Sequence, residues 1–172
     1  MIYRNGSVMS YAINHIAIFG GASAIAKAVS LRFEKMYPEA TLDVFSRQVM
    51  QSDNENVTYH KLEDYDALHI ERACVQVLSG RRFDIVLVAT GILHQDGVQP
   101  EKSIEEVTSE NMLRLYSANT IVPTLIVKHI WPLLKLNHAS KVLILSARVG
   151  SISDNRLGGW YAYRCSKAAL NM

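Results

Sequence analysis

The segment Asp84-Ile85-Val86-Leu87-Val88-Ala89 is apolar at consecutive positions rather than alternate ones. A strand apolar on both faces must be covered on both faces. A parallel sheet between two helix layers does this, whereas an antiparallel sheet commonly leaves one face wet. Asn14-His15-Ile16-Ala17-Ile18-Phe19-Gly20 is a second such run and ends in glycine, and Lys141 to Ser146 is a third. Thr41-Leu42-Asp43-Val44-Phe45 and the weaker Asn56 to Tyr59 read as two further strands. Between these runs the apolar period becomes helical. Ile25, Ala28, Val29, Phe33 and Met36 recur at that spacing until Pro38 ends the run. Ala67, Ile70, Cys74, Val77 and Leu78 repeat it up to Gly80, and a long helix is expected from about Ser109 to Trp131. From about Gly159 the chain turns helical again. Strands alternating with helices predict an α/β fold with a three-layer, doubly wound parallel sheet.

The chain has 172 residues, 49% of them apolar and 20% charged, which suits one globular domain. Residues 14–172 are expected to form it, with residues 1–13 as an N-terminal extension outside the fold. The last helix reaches Asn171-Met172 without a cap or a return strand, so the sheet is expected to lack its C-terminal strands. Eighteen basic and sixteen acidic side chains leave a net charge of +2, too balanced to select nucleic acid or an anionic membrane. No apolar run reaches the roughly 18 residues of a membrane span, and no secretory signal opens the chain. A cytoplasmic location is expected. Cys74 and Cys165 both sit among helix formers and read as core thiols, and the six histidines lack metal-binding spacing, so no metal site is expected.

Gly20-Gly21-Ala22-Ser23-Ala24-Ile25-Ala26 lies between the first strand and the first helix. A dinucleotide's pyrophosphate meets a helix N-terminus at this place. The spacing is that of a GxxxGxG turn whose last two glycines are Ala24 and Ala26. Small residues here also suit tight helix–sheet packing. Gly20, Gly21, Ser23, Ala24 and Ile25 are the candidate phosphate contacts. The second strand ends Val44-Phe45-Ser46-Arg47, with no carboxylate at its tip, and Asp43 falls too early. An acidic residue there would bond a ribose 2′-hydroxyl, and an arginine would pair with a 2′-phosphate. Ser46 and Arg47 therefore favour NADP(H), with NAD(H) as the alternative.

Tyr163 and Lys167 stand at i and i+4, on one helix face. A phenol is a poor base at neutral pH, and an adjacent ammonium is expected to lower its pKa. Such a pair can exchange a proton with a carbonyl oxygen. Asn119 falls on the apolar stripe that Met112, Leu115, Tyr116, Val122, Ile126 and Ile130 form in the long helix. Pro123, four residues on, has no N–H, so the carbonyl of residue 119 is expected to be free at a kink and to hold a relay water.

With these features in place, Gly150-Ser151-Ile152-Ser153-Asp154-Asn155 and Gly158-Gly159-Trp160-Tyr161-Ala162-Tyr163-Arg164-Cys165-Ser166-Lys167-Ala168-Ala169-Leu170-Asn171 resemble the short-chain dehydrogenase/reductase family. The likeness is greatest to its C-factor-like and small carbonyl-reductase branch, from about Ile13 to the last residue. The resemblance implies a Rossmann-type fold and an NAD(P)-dependent oxidoreductase that moves hydride between nicotinamide and a small-molecule carbonyl or alcohol. It implies Tyr163 as the acid/base, Lys167 as the residue that binds the nicotinamide ribose and tunes the tyrosine, and Asn119 as holder of the relay water. The register of the family serine holds Ala147, so Ser146 or Ser151 would polarise the carbonyl. Ala89, Thr90 and Gly91 stand where the family contacts cofactor with Asn-Asn-Ala-Gly, and only the glycine is kept. The adenine-contacting aspartate is replaced around Lys61, with Asp64 close by. Family members pair through the long helix and the Tyr–Lys helix, which implies a homodimer or homotetramer. The altered glycine turn, the displaced serine and the early end support a second reading, either a non-catalytic nucleotide-binding or signalling protein or an inactive fragment of the enzyme.

Overall fold

The structure, a computed structural model, describes residues 3–4, 7–8, 11–78, 80–94, 99–134 and 140–172. Five parallel strands form the sheet: β1 (His15–Phe19), β2 (Thr41–Ser46), β3 (Val57–Lys61), β4 (Ile85–Val88) and β5 (Lys141–Ile144). Their order is β3-β2-β1-β4-β5, so the chain winds outward in both directions from β1. This is the expected doubly wound α/β architecture. The helices are α1 (Ala24–Met36), α2 (Ala67–Arg72), α3 (Ser109–Tyr116), α4 (Val122–Ile130) and α5 (Tyr161–Asn171).

The alternation of side chains along each strand divides the core in two. Ile16, Ile18, Leu42, Val44, Ile85 and Leu87 face the layer that contains α1. Ala17, Phe19, Phe45, Val86 and Val88 face α2 and α4 and pack with Ile70, Ile126 and Ile130. Helix starts follow local chemistry. Ser23, Asp66 and Thr108 each accept from a first-turn N–H, of Ala26, His69 and Asn111 at 3.1, 2.8 and 3.2 Å.

A buried charge in β2 interrupts the apolar layers. Asp43 in the middle of β2 is fully buried, and its carboxylate accepts from His60 Nε2 at 2.8 Å and from the Arg81 guanidinium. His60 in turn stacks on Phe45, with ring centroids 4.8 Å apart. Asp43 is thus committed beneath the sheet and does not reach the strand tip.

Several expectations are corrected. The long helix from Ser109 to Trp131 is two helices joined by a π-helical turn, Ser117–Ile121. Pro123 cannot donate a hydrogen bond and clashes with the carbonyl four residues back, so the ladder widens and Val122 N–H donates to Ser117 O instead. The helix from Ala67 likewise passes into a π-helical turn at Ala73–Val77, with the Val77 side chain outside the described residues. β5 stops at Ile144 rather than Ser146 and lies at an edge of the described sheet, which leaves Leu143 and Ile144 44% and 37% exposed. Cys74 is a core thiol, pushed up to about 12 by burial, but Cys165 on α5 is exposed. In the expected N-terminal extension, Tyr3–Arg4 pairs with Ser7–Val8, and the rest of residues 1–10 lies outside the described residues. Among the described residues no helix is long and apolar enough to cross a membrane, and no group of three or more histidine, cysteine or acidic side chains could hold a metal ion.

Candidate active site

The carboxyl ends of β1 and β4 point into the crevice where the winding reverses, the usual ligand site of open α/β sheets. Gly20 turns the chain there with φ +89°, and a Cβ on it would stand 2.8 Å from the Ala89 carbonyl. Only glycine lets the end of β1 lie this close to the end of β4. At Gly21 a Cβ would overlap Val44 Cγ1 at 2.4 Å. The Gly20 and Gly21 N–H groups donate to Phe45 O at 3.0 and 2.9 Å, which ties the turn to the end of β2. Tyr65 strengthens this tie. Its hydroxyl accepts from Gly20 N–H at 2.8 Å and donates to Phe45 O at 3.1 Å, and burial pushes the phenol up to about 12.

A cleft of about 820 Å³ opens along this turn, walled by Ser23, Ser46, Arg47, Thr90, Gly91 and Arg114 among others. The expected cofactor contacts are brought together here. Ser23 caps α1, and Ala24 and Ile25 open that helix. Ser46 is buried and accepts from Gln48 N–H at 3.0 Å, while the exposed Arg47 side chain lies near the Tyr65 hydroxyl. The Thr90 hydroxyl oxygen is buried without a partner among the described residues. A buried hydroxyl of this kind is open to a bound ligand. An orphan hydroxyl, an open glycine turn and a guanidinium in one cleft fit a phosphate-bearing dinucleotide.

Tyr163, Lys167 and Asn119 are not among the residues that line this cleft, but Lys167 and Asn119 come against its wall at Gly91. Lys167 is buried, and its Nζ donates to Leu145 O at 2.9 Å and lies 5.9 Å from the Tyr163 ring centroid. A Cβ on Gly91 would stand 3.0 Å from Asn119 Oδ1 and 3.3 Å from Lys167 Nζ, so these three residues converge. The Asn119 amide is fully used. It accepts from Ile92 N–H at 2.7 Å and donates to Ile92 O at 2.9 Å and to Ser166 Oγ at 3.0 Å. Thr120 donates to Ser166 O at 2.8 Å. The π-helical turn places these two consecutive polar side chains on the inward side, where they dock α5.

Electrostatics here differ from expectation. Burial is what shifts Tyr163, and it raises the phenol above its ordinary value; the same burial lowers Lys167. The Lys167 ammonium is itself hydrogen-bonded to the Leu145 carbonyl. Ser146 is exposed beyond β5 and donates to Asn171 Oδ1, and the Ser151 hydroxyl lies 3.2 Å from that of Ser153. No described contact joins either serine to Tyr163.

Arg114 and Tyr65 are among the cleft residues that escaped the sequence analysis. Arg114 shares the cleft wall with Ser117 and Ala118, three and four residues on, a helical spacing visible in the sequence. Tyr65 directly follows Asp64, which also lines the cleft, but its partners lie 45 and 20 residues away.

No family model matches the chain. Over 98 residues it is 35% identical to 1-hydroxy-2-glutathionyl-2-methyl-3-butene dehydrogenase of Rhodococcus sp. (strain AD45), a match covering 57% of this chain and 42% of the relative. Over 70 residues it is 36% identical to C-signal of Myxococcus xanthus, covering 41% of this chain and 42% of the relative. The matches thus span less than half the length of these curated relatives. Among solved structures, an assigned short-chain alcohol dehydrogenase of Burkholderia multivorans superposes with a TM-score of 0.79 at 26% identity, covering 92% of this chain and 73% of that one. The NADPH-bound carbonyl reductase from chicken fatty liver superposes at 0.77 with 25% identity, covering 95% and 69%. Fold and relatives agree on a Rossmann-type architecture. In sequence and in fold the chain is similar to proteins of the short-chain dehydrogenase/reductase type.

Proposed function

We propose that the protein binds NADP(H) and reduces a small-molecule carbonyl, or oxidises the matching alcohol, with Tyr163 as acid/base. The convergence of Gly91, Asn119 and Lys167 at the wall of a cleft that begins at the Gly20 turn carries this reading. When bound, the dinucleotide supplies or accepts the hydride. The chain's own residues do the rest. Arg47 and Ser46 hold the 2′-phosphate end, and Thr90 gives its unpaired hydroxyl to the ligand. Lys167 holds the nicotinamide ribose, and Asn119 keeps the Gly91–Ile92 segment against α5 and beside a relay water. Tyr163, kept protonated at neutral pH by burial, hands its proton to the carbonyl oxygen, which Ser146 or Ser151 polarises. Exposed Leu113, Tyr116, Ile121 and Trp131 support pairing of copies into a homodimer or homotetramer. The reading places the protein in the cytoplasm.

A fluorescence titration with NADPH and NADH tests it. The wild-type chain is expected to prefer NADPH by about 10–100-fold, and Arg47→Ala to erase most of that preference, as befits loss of one charge-assisted pair. Equal binding of both dinucleotides, or an unchanged preference in Arg47→Ala, would remove Arg47 as the 2′-phosphate partner. The engagement of Ser146 with Asn171, together with the relative named C-signal, favours a second reading, a dinucleotide-binding protein without turnover. Tight NADPH binding with no carbonyl reduced in a broad screen would select it.

A further inference from the structure

Glu101 lies in the segment between β4 and α3 and is 3% exposed, an unusual place for a carboxylate. It meets the start of α5 twice. Its carbonyl accepts from Trp160 N–H at 2.6 Å, and its carboxylate accepts from Ala162 N–H at 3.3 Å, 61 residues away in sequence. The chain enters α5 through three consecutive left-handed residues, Gly158, Gly159 and Trp160, with φ of 65°, 64° and 55°. Trp160 is the non-glycine residue among them, and such a backbone persists only where its surroundings impose it. The surroundings are again Glu101, since a Cβ on Gly159 would stand 3.1 Å from its carbonyl oxygen.

The helix has no side-chain cap of its own, because Trp160 at the cap position offers no acceptor. First-turn N–H groups lack partners within a helix, and a negative charge is favoured at that end. Glu101 supplies the acceptor from outside the helix. Ala162, which it holds, precedes Tyr163 directly, and the Trp160 ring stands edge-on to the Tyr163 ring at 6.3 Å. We propose that Glu101 is a positioning residue that fixes the entry of α5 and thereby orients Tyr163. This rests on the reading of Tyr163 as the group that carries the proton.

Glu101→Ala, Glu101→Asp and Glu101→Gln test the proposal in the whole chain. Glutamine keeps an oxygen at the same reach, whereas aspartate is one methylene short. Amide exchange at Ala162 and Tyr163 is expected to quicken about fivefold to tenfold in the alanine and aspartate variants and to stay near wild type in the glutamine variant. Carbonyl turnover is expected to fall about tenfold or more in the same two variants, with NADPH affinity and the KM for the carbonyl nearly unchanged, and to recover in Glu101→Gln. If Glu101→Ala does not fold, the aspartate and glutamine variants carry the comparison. Unchanged exchange in Glu101→Asp or Glu101→Ala overturns the proposal. A glutamine variant as impaired as the aspartate one, or NADPH affinity falling in step with turnover, also overturns it. A wild-type chain without turnover would defeat the reductase reading alone, because amide exchange still decides whether Glu101 holds the helix.

Discussion

Tyr163→Phe is expected to lower carbonyl reduction by about 10²–10⁴-fold while leaving NADPH affinity nearly intact. The phenylalanine keeps the ring that packs with Ile92, Met112, Leu115 and Ala162, so α5 stays in place. What is lost is the hydroxyl. Burial raises the Tyr163 phenol above its ordinary value of 10.0, so it is protonated at neutral pH and acts as the acid in the reductive direction. The sign for pH follows. Reduction needs the protonated phenol, so its rate is flat through neutral pH and falls as pH rises through the phenol's pKa. Alcohol oxidation needs the phenolate and rises over the same interval. NADPH oxidation with a carbonyl, and NADP+ reduction with the matching alcohol, followed across the alkaline range check the two statements. A phenylalanine variant with wild-type turnover would end the assignment of Tyr163.

Asp43→Ala carries the largest expected effect on stability. Removing one partner from a buried ion pair typically costs about 3–5 kcal/mol, since the remaining charges are left uncompensated. His60 is 18% exposed, but Arg81 is 40% exposed and can turn toward water, so a loss near the lower end, about 3 kcal/mol, is expected. Burial pushes the Asp43 carboxyl up, yet the hydrogen bonds from His60 and Arg81, with their charges, outweigh it and hold the carboxyl below its ordinary 3.8. A carboxyl depressed in the folded state adds stability that is present above the unfolded value and is lost as pH falls through the folded one. Urea unfolding of wild type should therefore weaken below about pH 4, and Asp43→Asn should remove that part of the acid dependence. Equal stability of wild type and Asp43→Ala at pH 7 would show that the cluster contributes nothing net.

Much of the site was legible because its signals are local. Two-sided apolar runs at β1 and β4 demand a covered parallel sheet, and this places the Gly20 turn at the crevice. Tyr163 and Lys167 share a helix face by spacing alone, and Asn119 announces itself as a polar residue on an apolar stripe. Arg47 was visible as the basic residue at the end of β2, and the commitment of Asp43 to His60 and Arg81 explains why no carboxylate competes there.

Sequence by itself determined the alternation of strands and helices along the chain, the glycine turn after β1 and the Tyr163–Lys167 pairing on one helix face, because each depends on spacings within about two helical turns. The tertiary structure alone decided which distant groups share a desolvated space. Tyr65 reaches Gly20 across 45 residues and Glu101 reaches Ala162 across 61, and no local period encodes either contact. The widened turn at Asn119 and the exposure of β5 and Cys165 arise from packing in the same way. So does the upward shift of Tyr163, because desolvation depends on everything packed around a group, whereas spacing registers only what lies beside it along the chain.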